Sequence, residues 1–469
     1  MSLGLFATLG LAARSLQTQQ TGIEVAGHNI ANVNNSAYAR QRLQIATTEP
    51  VPTFLGPQGT GAQALAIQQM RSTIVDQQIV SETSVQGYWD AQQLALQFAQ
   101  AGLGQGIDST AASGSTSSQQ GIAGALSDLF SAFQSLSTQP ASLAERQVLL
   151  MKASTLADQF NRVAQRLDSL RSGLNDSLQT DVGNANQLLT DIADLNDQIL
   201  TSEVNSGAVA NDLRDLRQQK IEDLAKLVNL DAAPQSDGSV NITIGGVLMV
   251  SNKNVLDTLE AYDAGGGQML VRAATAGTAL TVTGGSIGGT IDARDGAAAQ
   301  LSNDLDALAA LLISEVNTLH ATGFSLSGTN DEDFFTGSDA HTIAVNSTLL
   351  DDPSLIQANG VSGEAGNNEV VLELAQLATK THAGLSNQTF SQAFAQTVAA
   401  LGQSLAAANG QITGQQTVQQ MLQQQRASIS GVSLDEEMAN LSIYQRAYQA
   451  SARLMTVVDE MLQTLVNIQ

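Results

Sequence analysis

The run Gly27-His28-Asn29-Ile30-Ala31-Asn32-Val33-Asn34-Asn35-Ser36-Ala37-Tyr38-Ala39-Arg40-Gln41 decides how the chain is read, because it closes one of two helical seams placed at opposite ends. Counting back every third and fourth residue gives Ile30, Gly27, Ile23, Gln20, Leu16, Ala13, Leu9 and Phe6. This heptad alternation predicts one amphipathic helix of about eight turns. At the far end Leu434, Leu441, Tyr444, Tyr448, Met455, Val458, Leu462 and Leu465 repeat the spacing, interrupted by Glu437 and Ser451. Asp435, Glu436 and Glu437 crowd its first turn, where carboxylates complement the helix dipole. A chain with its most regular apolar stripes at its extremities, and glycine-rich sequence between, is built to join its ends rather than to house a catalytic cleft.

Neither terminal helix is expected to be stable alone. Burying the C-terminal seam returns less free energy than ordering the backbone of residues 434–469 costs. Each segment therefore needs a partner, either the other end or a neighbouring subunit. Periodicity alone is equally compatible with an ordinary intramolecular helix pair on a globular domain.

Composition narrows the class. With 20 basic against 44 acidic residues the net charge is -24, which repels phosphate backbones and anionic membrane surfaces and argues against nucleic acid as a partner. A length of 469 residues predicts two or three domains. Only 4% of residues are aromatic and 14% charged, which suits long helices packed through small residues. No cysteine occurs, so neither a disulfide framework nor a thiolate zinc site is available, as fits an exported chain that must not crosslink. No Lys or Arg precedes Arg14 and no clean small-residue cleavage site follows, and no uncharged run reaches the length of a membrane span. The expectation is a soluble protein without membrane insertion, exported, if at all, without a cleaved signal peptide.

Inward from the ends the pattern changes. Residues 46–66, with Pro50, Pro52 and Pro57, predict an extended or short-stranded connection, followed by a helix from Ile67 to Gln100. Residues 101–121 lack periodicity and predict a flexible loop. After Pro140 a long helix is marked by Leu156, Phe160, Val163, Leu167, Leu170 and Leu174, resumed by Leu188, Ile192, Leu195 and Ile199. Another spans Asn211–Leu230. From Ala233 the period becomes two: Val240, Ile242 and Ile244, then Gly245-Gly246, then Val247 to Val250, which predicts a hairpin. Leu280 to Gly289 reads as further strand and turn. Helix resumes near Ala297, with Leu301, Leu305, Leu308, Leu312 and Val316 on one face, and again over 368–430, after a possible strand at Ile343–Val345.

Chemistry is sparse. His28, His320, His341 and His382 lie far apart with no second ligand at metal spacing, and no catalytic set is visible. Asp331-Glu332-Asp333 with Asp339 lacks the spacing of a calcium loop and reads as a solvated acidic turn. Gly284-Gly285-Ser286-Ile287-Gly288-Gly289 has neither a P-loop lysine nor a dinucleotide-binding pattern and reads as a turn. Trp89, beside Tyr88, reads as a core anchor. No catalytic residue, cofactor or metal is assigned.

The terminal residues resemble those of bacterial flagellar axial proteins, whose first helix ends in Asn-Ile-Ala-Asn-x-x-Thr-Pro-Gly-Tyr. Asn29, Ile30, Ala31, Asn32 and Tyr38 are kept, whereas Asn35-Ser36-Ala37 replaces Thr-Pro-Gly. Ala439-Asn440-Leu441, Tyr444-Gln445, Ala447-Tyr448, Ala450-Ser451, Asp459-Glu460-Met461-Leu462 and Leu465-Val466-Asn467-Ile468 resemble the matching C-terminal end. Within these proteins, Gly27-His28 and Arg40-Gln41 resemble the hook-associated protein 1 family of hook-filament junction subunits. So do Leu126 to Leu136 with Pro140, Gly288 to Gly296, and Val316-Asn317 with His320, Gly323 and Leu326-Ser327-Gly328.

The resemblance, with the patterns above, implies a mainly α fold with a β insertion: terminal helices paired as a coiled coil, an elongated helical-bundle body and a small outward β domain. The expected units are 1–45 with 426–469 as the coiled-coil core, 46–230 with 291–425 as the body, and 231–290 as the insertion. It implies a structural subunit and no enzyme, exported unfolded by the flagellar type III apparatus and folded on assembly, located extracellularly at the hook-filament junction. Implied partners are the hook protein, the second junction protein, copies of itself in a helical ring, and an export chaperone at the C-terminal helix. The implied polymer interface comprises Phe6, Leu9, Leu16, Ile23, Asn29, Ile30, Asn32 and Tyr38 with Leu434, Leu441, Tyr444, Tyr448, Met455, Val458, Leu462 and Leu465. A hook or rod subunit is the alternative within the family; an exported enzyme or an adhesin would be readings of another class.

Overall fold

The computed structural model describes residues 4–53, 56–104 and 121–467. Most of the expected flexible loop, residues 105–120, lies outside the described residues, as does Ile468.

A single helix organises the body. α4 (Leu143–Ser206) is 64 residues long, about 95 Å at 1.5 Å per residue. Ser142 starts it by accepting the Glu145 N–H at 3.3 Å, and Gly207, at φ 66°, ends it with the left-handed cap that glycine adopts without strain. Its stripe of large apolar residues serves two cores in turn. Leu149, Leu156, Phe160 and Leu167 lie in the first, with α2 (Thr73–Gly102), α3 (Ile122–Thr138), α7 (Ala299–His320), α9 (Glu369–Gln376) and α10 (Phe390–Ser430). Leu178, Leu189 and Ile192 lie in the second, with α5 (Asn211–Leu227), α6 (Gly285–Ala293) and a β unit.

The β unit holds a four-stranded antiparallel sheet, β5 (Asp231–Pro234), β6 (Val240–Ile244), β7 (Val247–Ser251) and β8 (Asn254–Val255), and a hairpin of β9 (Leu259–Asp263) and β10 (Met269–Ala273). Gly245 and Gly246 form the expected two-residue turn, both at positive φ. Asparagines on α4 fasten it. Asn186 bonds both backbone groups of Leu259 and Asn196 both backbone groups of Val240, so β9 and β6 are tied to the spine.

Three expectations are corrected. The helix expected from Ile67 begins at Thr73; Ile67 instead belongs to β4 (Ala62–Gln69), which pairs antiparallel with β1 (Gln41–Thr47), Leu43 opposite Ile67. Its Ala and Gln residues favour helix, and pairing with β1 overrides that preference. Prolines 52 and 57 face one another across a two-stranded sheet of β2 (Val51–Thr53) and β3 (Gly56–Gln58). The Gly284–Gly289 run opens α6 instead of a strand and turn. A Cβ on Gly289 would lie 2.2 Å from the Tyr88 carbonyl oxygen of α2, and one on Gly285 2.2 Å from the backbone of Leu227 and Val228, so the glycines permit close crossing. Finally, 377–389 interrupts the helix expected over 368–430, and α10 restarts with a capping box of Thr389 and Gln392. Between α7 and α9 lie the two-residue ladder of β11 (Phe335–Thr336) and β12 (Ala344–Val345), the latter at the expected strand, and α8 (Ser347–Asp351).

The two ends of the chain meet. α1 (Leu5–Ala31) and α11 (Leu434–Asn467) lie side by side and antiparallel, and each returns to the body at the same point. No described helix is long and apolar enough to cross a membrane.

Candidate assembly interface at the terminal helices

The helix pair is built from small and polar residues at heptad spacing. Ser15 meets Ser451 with hydroxyl oxygens 2.9 Å apart, Gly22 lies against the ring of Tyr444, and Asn29 donates to Glu437 at 3.1 Å. Each step of seven along α1 is answered by a step of seven back along α11. A Cβ on Gly22 would stand 2.7 Å from the Tyr444 ring, so only glycine admits the aromatic there.

The expected seam residues divide. Asn29, Tyr38 and Val458 are buried; Leu9, Leu16, Ile23, Ile30, Asn32, Leu441, Tyr444, Met455 and Leu462 are half-buried; Phe6, Leu434, Tyr448 and Leu465 are exposed. The positions the pattern missed are the closest contacts: Ser15, Gly22, Ser451 and Glu437. They are small or charged, and two of them stand in the sequence as interruptions of an apolar stripe. On α1 the buried set is Ala12, Thr18, Gly22, Val25, Ala26 and Asn29, because β4 covers a second side, where the Thr18 hydroxyl reaches the Ala62 carbonyl. On α11 the row Leu454, Val457, Met461 and Leu465 remains exposed on spacings of three and four.

A polar joint fastens the pair to the body. The Asn29 amide is fully used: its nitrogen donates to the Gln41 carbonyl (2.8 Å) and to Glu437 Oε2, and its oxygen accepts from the Tyr38 hydroxyl (2.7 Å) and the Gln41 N–H (3.0 Å). Arg40 answers the buried Glu437 charge, Nη2 to Oε1 at 2.7 Å, and reaches Glu436 with Nη1. Both oxygens of a buried carboxylate are thus partnered, the condition under which such a charge is tolerated. Burial, with Asp212, Asp215 and Glu437 nearby, pushes the Tyr38 phenol up, keeping it a donor to Asn29.

The body contributes the first turns of α5. Asp212 accepts from the Gln41 side chain (2.7 Å) and lies 3.3 Å from His28. Asp215 accepts from the Ala39 N–H (3.0 Å), Gln69 and Arg71. Its carboxyl is pushed up to about 6, mainly by burial, against the pull of the Ala39 N–H and Arg71. Asn35 rebuilds the turn where Pro-Gly is missing: its side-chain oxygen accepts the Ala37 N–H (3.1 Å) and its carbonyl the Tyr38 N–H (3.2 Å). Among the described residues the one group at metal-ligand spacing is Asp306, Asp339 and His341. There His341 lies 2.7 Å from Asp168, and its pKa is raised, burial being outweighed by Asp168, Asp306 and Asp339.

Comparison with known proteins places this arrangement. The family described as "Flagellar hook-associated protein FlgK helical domain" matches residues 107–335, and "Flagellar basal body rod FlgEFG protein C-terminal" matches 423–468. The flagellar hook-associated protein 1 of Bacillus subtilis is 28% identical over 522 aligned residues, covering 98% of each chain. Over nearly its whole length the chain is similar to hook-associated protein 1. The Escherichia coli member is 25% identical, and the match covers 69% of this chain and 59% of that one. A solved structure of the flagellar hook junction protein from Burkholderia pseudomallei superimposes with a TM-score of 0.63 at 16% identity, covering 76% of this chain and all of that one, and so shares the fold. The match to the rod-protein C-terminal family falls on α11 and the end of α10.

Proposed function

We propose that the chain is a structural subunit of the bacterial flagellum that joins the hook to the filament. The end-to-end match to a hook-associated protein 1 carries this reading, and the helical body between the paired ends fits it. The partners are the hook protein on one side, the second junction protein on the other, and copies of the chain beside it; head-to-tail contacts of this kind generate open helical stacks. The terminal pair with its joint forms the core unit, the α4-based bundle the body, and the sheet the outward insertion. Phe6, Leu434, Tyr448 and Leu465, exposed in the single chain, together with the half-buried seam residues, are the surface that neighbouring copies cover. The chain travels unfolded through the export apparatus with a chaperone on α11 and has no enzymatic role.

Deleting the gene tests the assignment. Cells should then make complete hooks without filaments and release monomeric flagellin into the medium. Normal filaments would overturn the junction role, and absent hooks would point to a hook or rod subunit.

A further inference from the structure

The geometry points to a register code in the terminal helix pair: the buried Asn29–Glu437 layer, seconded by the Gly22–Tyr444 contact, selects one of several heptad alignments that the apolar seam alone would accept. The apolar part of the seam does not discriminate. Leu9, Leu16, Ile23 and Ile30 recur seven apart on α1, and Leu441, Tyr448, Met455 and Leu462 seven apart on α11, so a slip of one heptad again sets large side chains against large side chains. Sliding α11 by one heptad in one direction would set Glu437 against Gly22 and Tyr444 against Ser15. The carboxylate would be buried without Arg40 or Asn29, and the ring would meet a side chain where glycine now leaves space. Sliding it the other way carries Glu437 past the end of α1 and breaks the Asn29–Glu437 bond. A buried polar layer in a helix seam is known to fix register at some cost in stability. The short connection 431–433 between α10 and α11 is the competing cause, since it also limits sliding. The inference needs only the helix pair; the gene-deletion result does not bear on it.

The cysteine-free chain allows a direct test with the full-length protein. Ser15→Cys with Ser451→Cys reports the observed register. Thr8→Cys with Ser451→Cys, and Ser15→Cys with Val458→Cys, report the two slipped registers, in which partners now about 10 Å apart along the axis would meet. In the otherwise unaltered chain, only the first pair should form a disulfide under mild oxidation. Adding Asn29→Leu and Glu437→Leu should raise a slipped disulfide by about tenfold or more, because a buried charge no longer penalises it. Glu437→Leu alone, which leaves Asn29 its bonds to Tyr38 and Gln41, should give a smaller rise. Slipped pairs that stay unlinked in both leucine variants would overturn the code in favour of the connection, as would slipped disulfides in the unaltered seam. Failure of the 15–451 disulfide to form in the unaltered chain would overturn it as well.

Discussion

Two buried polar side chains, Asn29 and His320, show how differently single residues declare themselves. Asn29 sits in a motif and was legible; Glu437, which completes its bonds, stands in the sequence as a flaw in an apolar stripe, because a buried charge is recognisable only once Arg40 is beside it. His320 shows no metal spacing in the sequence, and its surroundings make it a stability determinant. Its Nδ1–H donates to the Glu332 carbonyl (2.6 Å) and its Nε2 accepts the Gln357 N–H (2.9 Å), so a second ring proton would face another donor. Burial, aided by the Arg146 charge and opposed by the Glu332 carbonyl, brings its pKa down to about 4. A folded pKa below the unfolded value means that stability is full above about pH 6.5 and is lost as pH falls towards 4. The loss from this residue should reach about 2 kcal/mol by pH 5 and ~3 kcal/mol by pH 4. Denaturation of the body between pH 7 and 5 measures it, and NMR titration of His320 should show a neutral ring throughout that range; protonation near pH 6.5 would contradict the assignment. His341 has the opposite sign: its raised pKa stabilises at lower pH and is lost as pH rises through the folded value, so the two must be separated by residue-specific titration.

At the scale of elements, α4 and α7 were readable because large apolar residues at three-four spacing have one physical outcome. Leu156, Phe160, Val163, Leu167 and Leu305, Leu308, Leu312, Val316 are all buried. β4 and α6 were not. β4 depends on a partner strand some 20 residues earlier in sequence, and in α6 the glycines that normally punctuate structure instead let helices touch. The α2–α6 crossing therefore has a specific weak point. Gly289→Ala places a methyl group 2.2 Å from a backbone oxygen of α2 that has no rotamer to retreat into. The substitution should destabilise the body by about 1–3 kcal/mol, the usual penalty for overpacking, even though alanine is the better helix former. Thermal unfolding compares it with Gly296→Ala, where a Cβ meets nothing within 4 Å. Equal melting temperatures would show that the crossing yields easily and that the glycines serve another purpose.

Across the whole molecule, burial is unevenly shared, and that unevenness bears on how the subunit is assembled. α11 buries two of its 34 residues, Glu437 and Val458, whereas α4 buries twenty of 64, with nine of those at zero exposure among its apolar side chains alone. Local opening costs least where few apolar groups are covered, so the ends should open far more often than the body. In the free monomer, amides of α11 and the outer half of α1 should exchange with solvent while those of α4 and α7 stay protected. Assembly into the junction, by covering Leu454, Val457, Met461 and Leu465 with neighbouring chains, should bring the ends up to the protection of the body. Hydrogen exchange on the verified monomer and on isolated junctions tests both halves of the claim. Uniform protection through both ends of the monomer would mean that the pair is complete before assembly, and the exposed row on α11 would then be a surface added to a finished core.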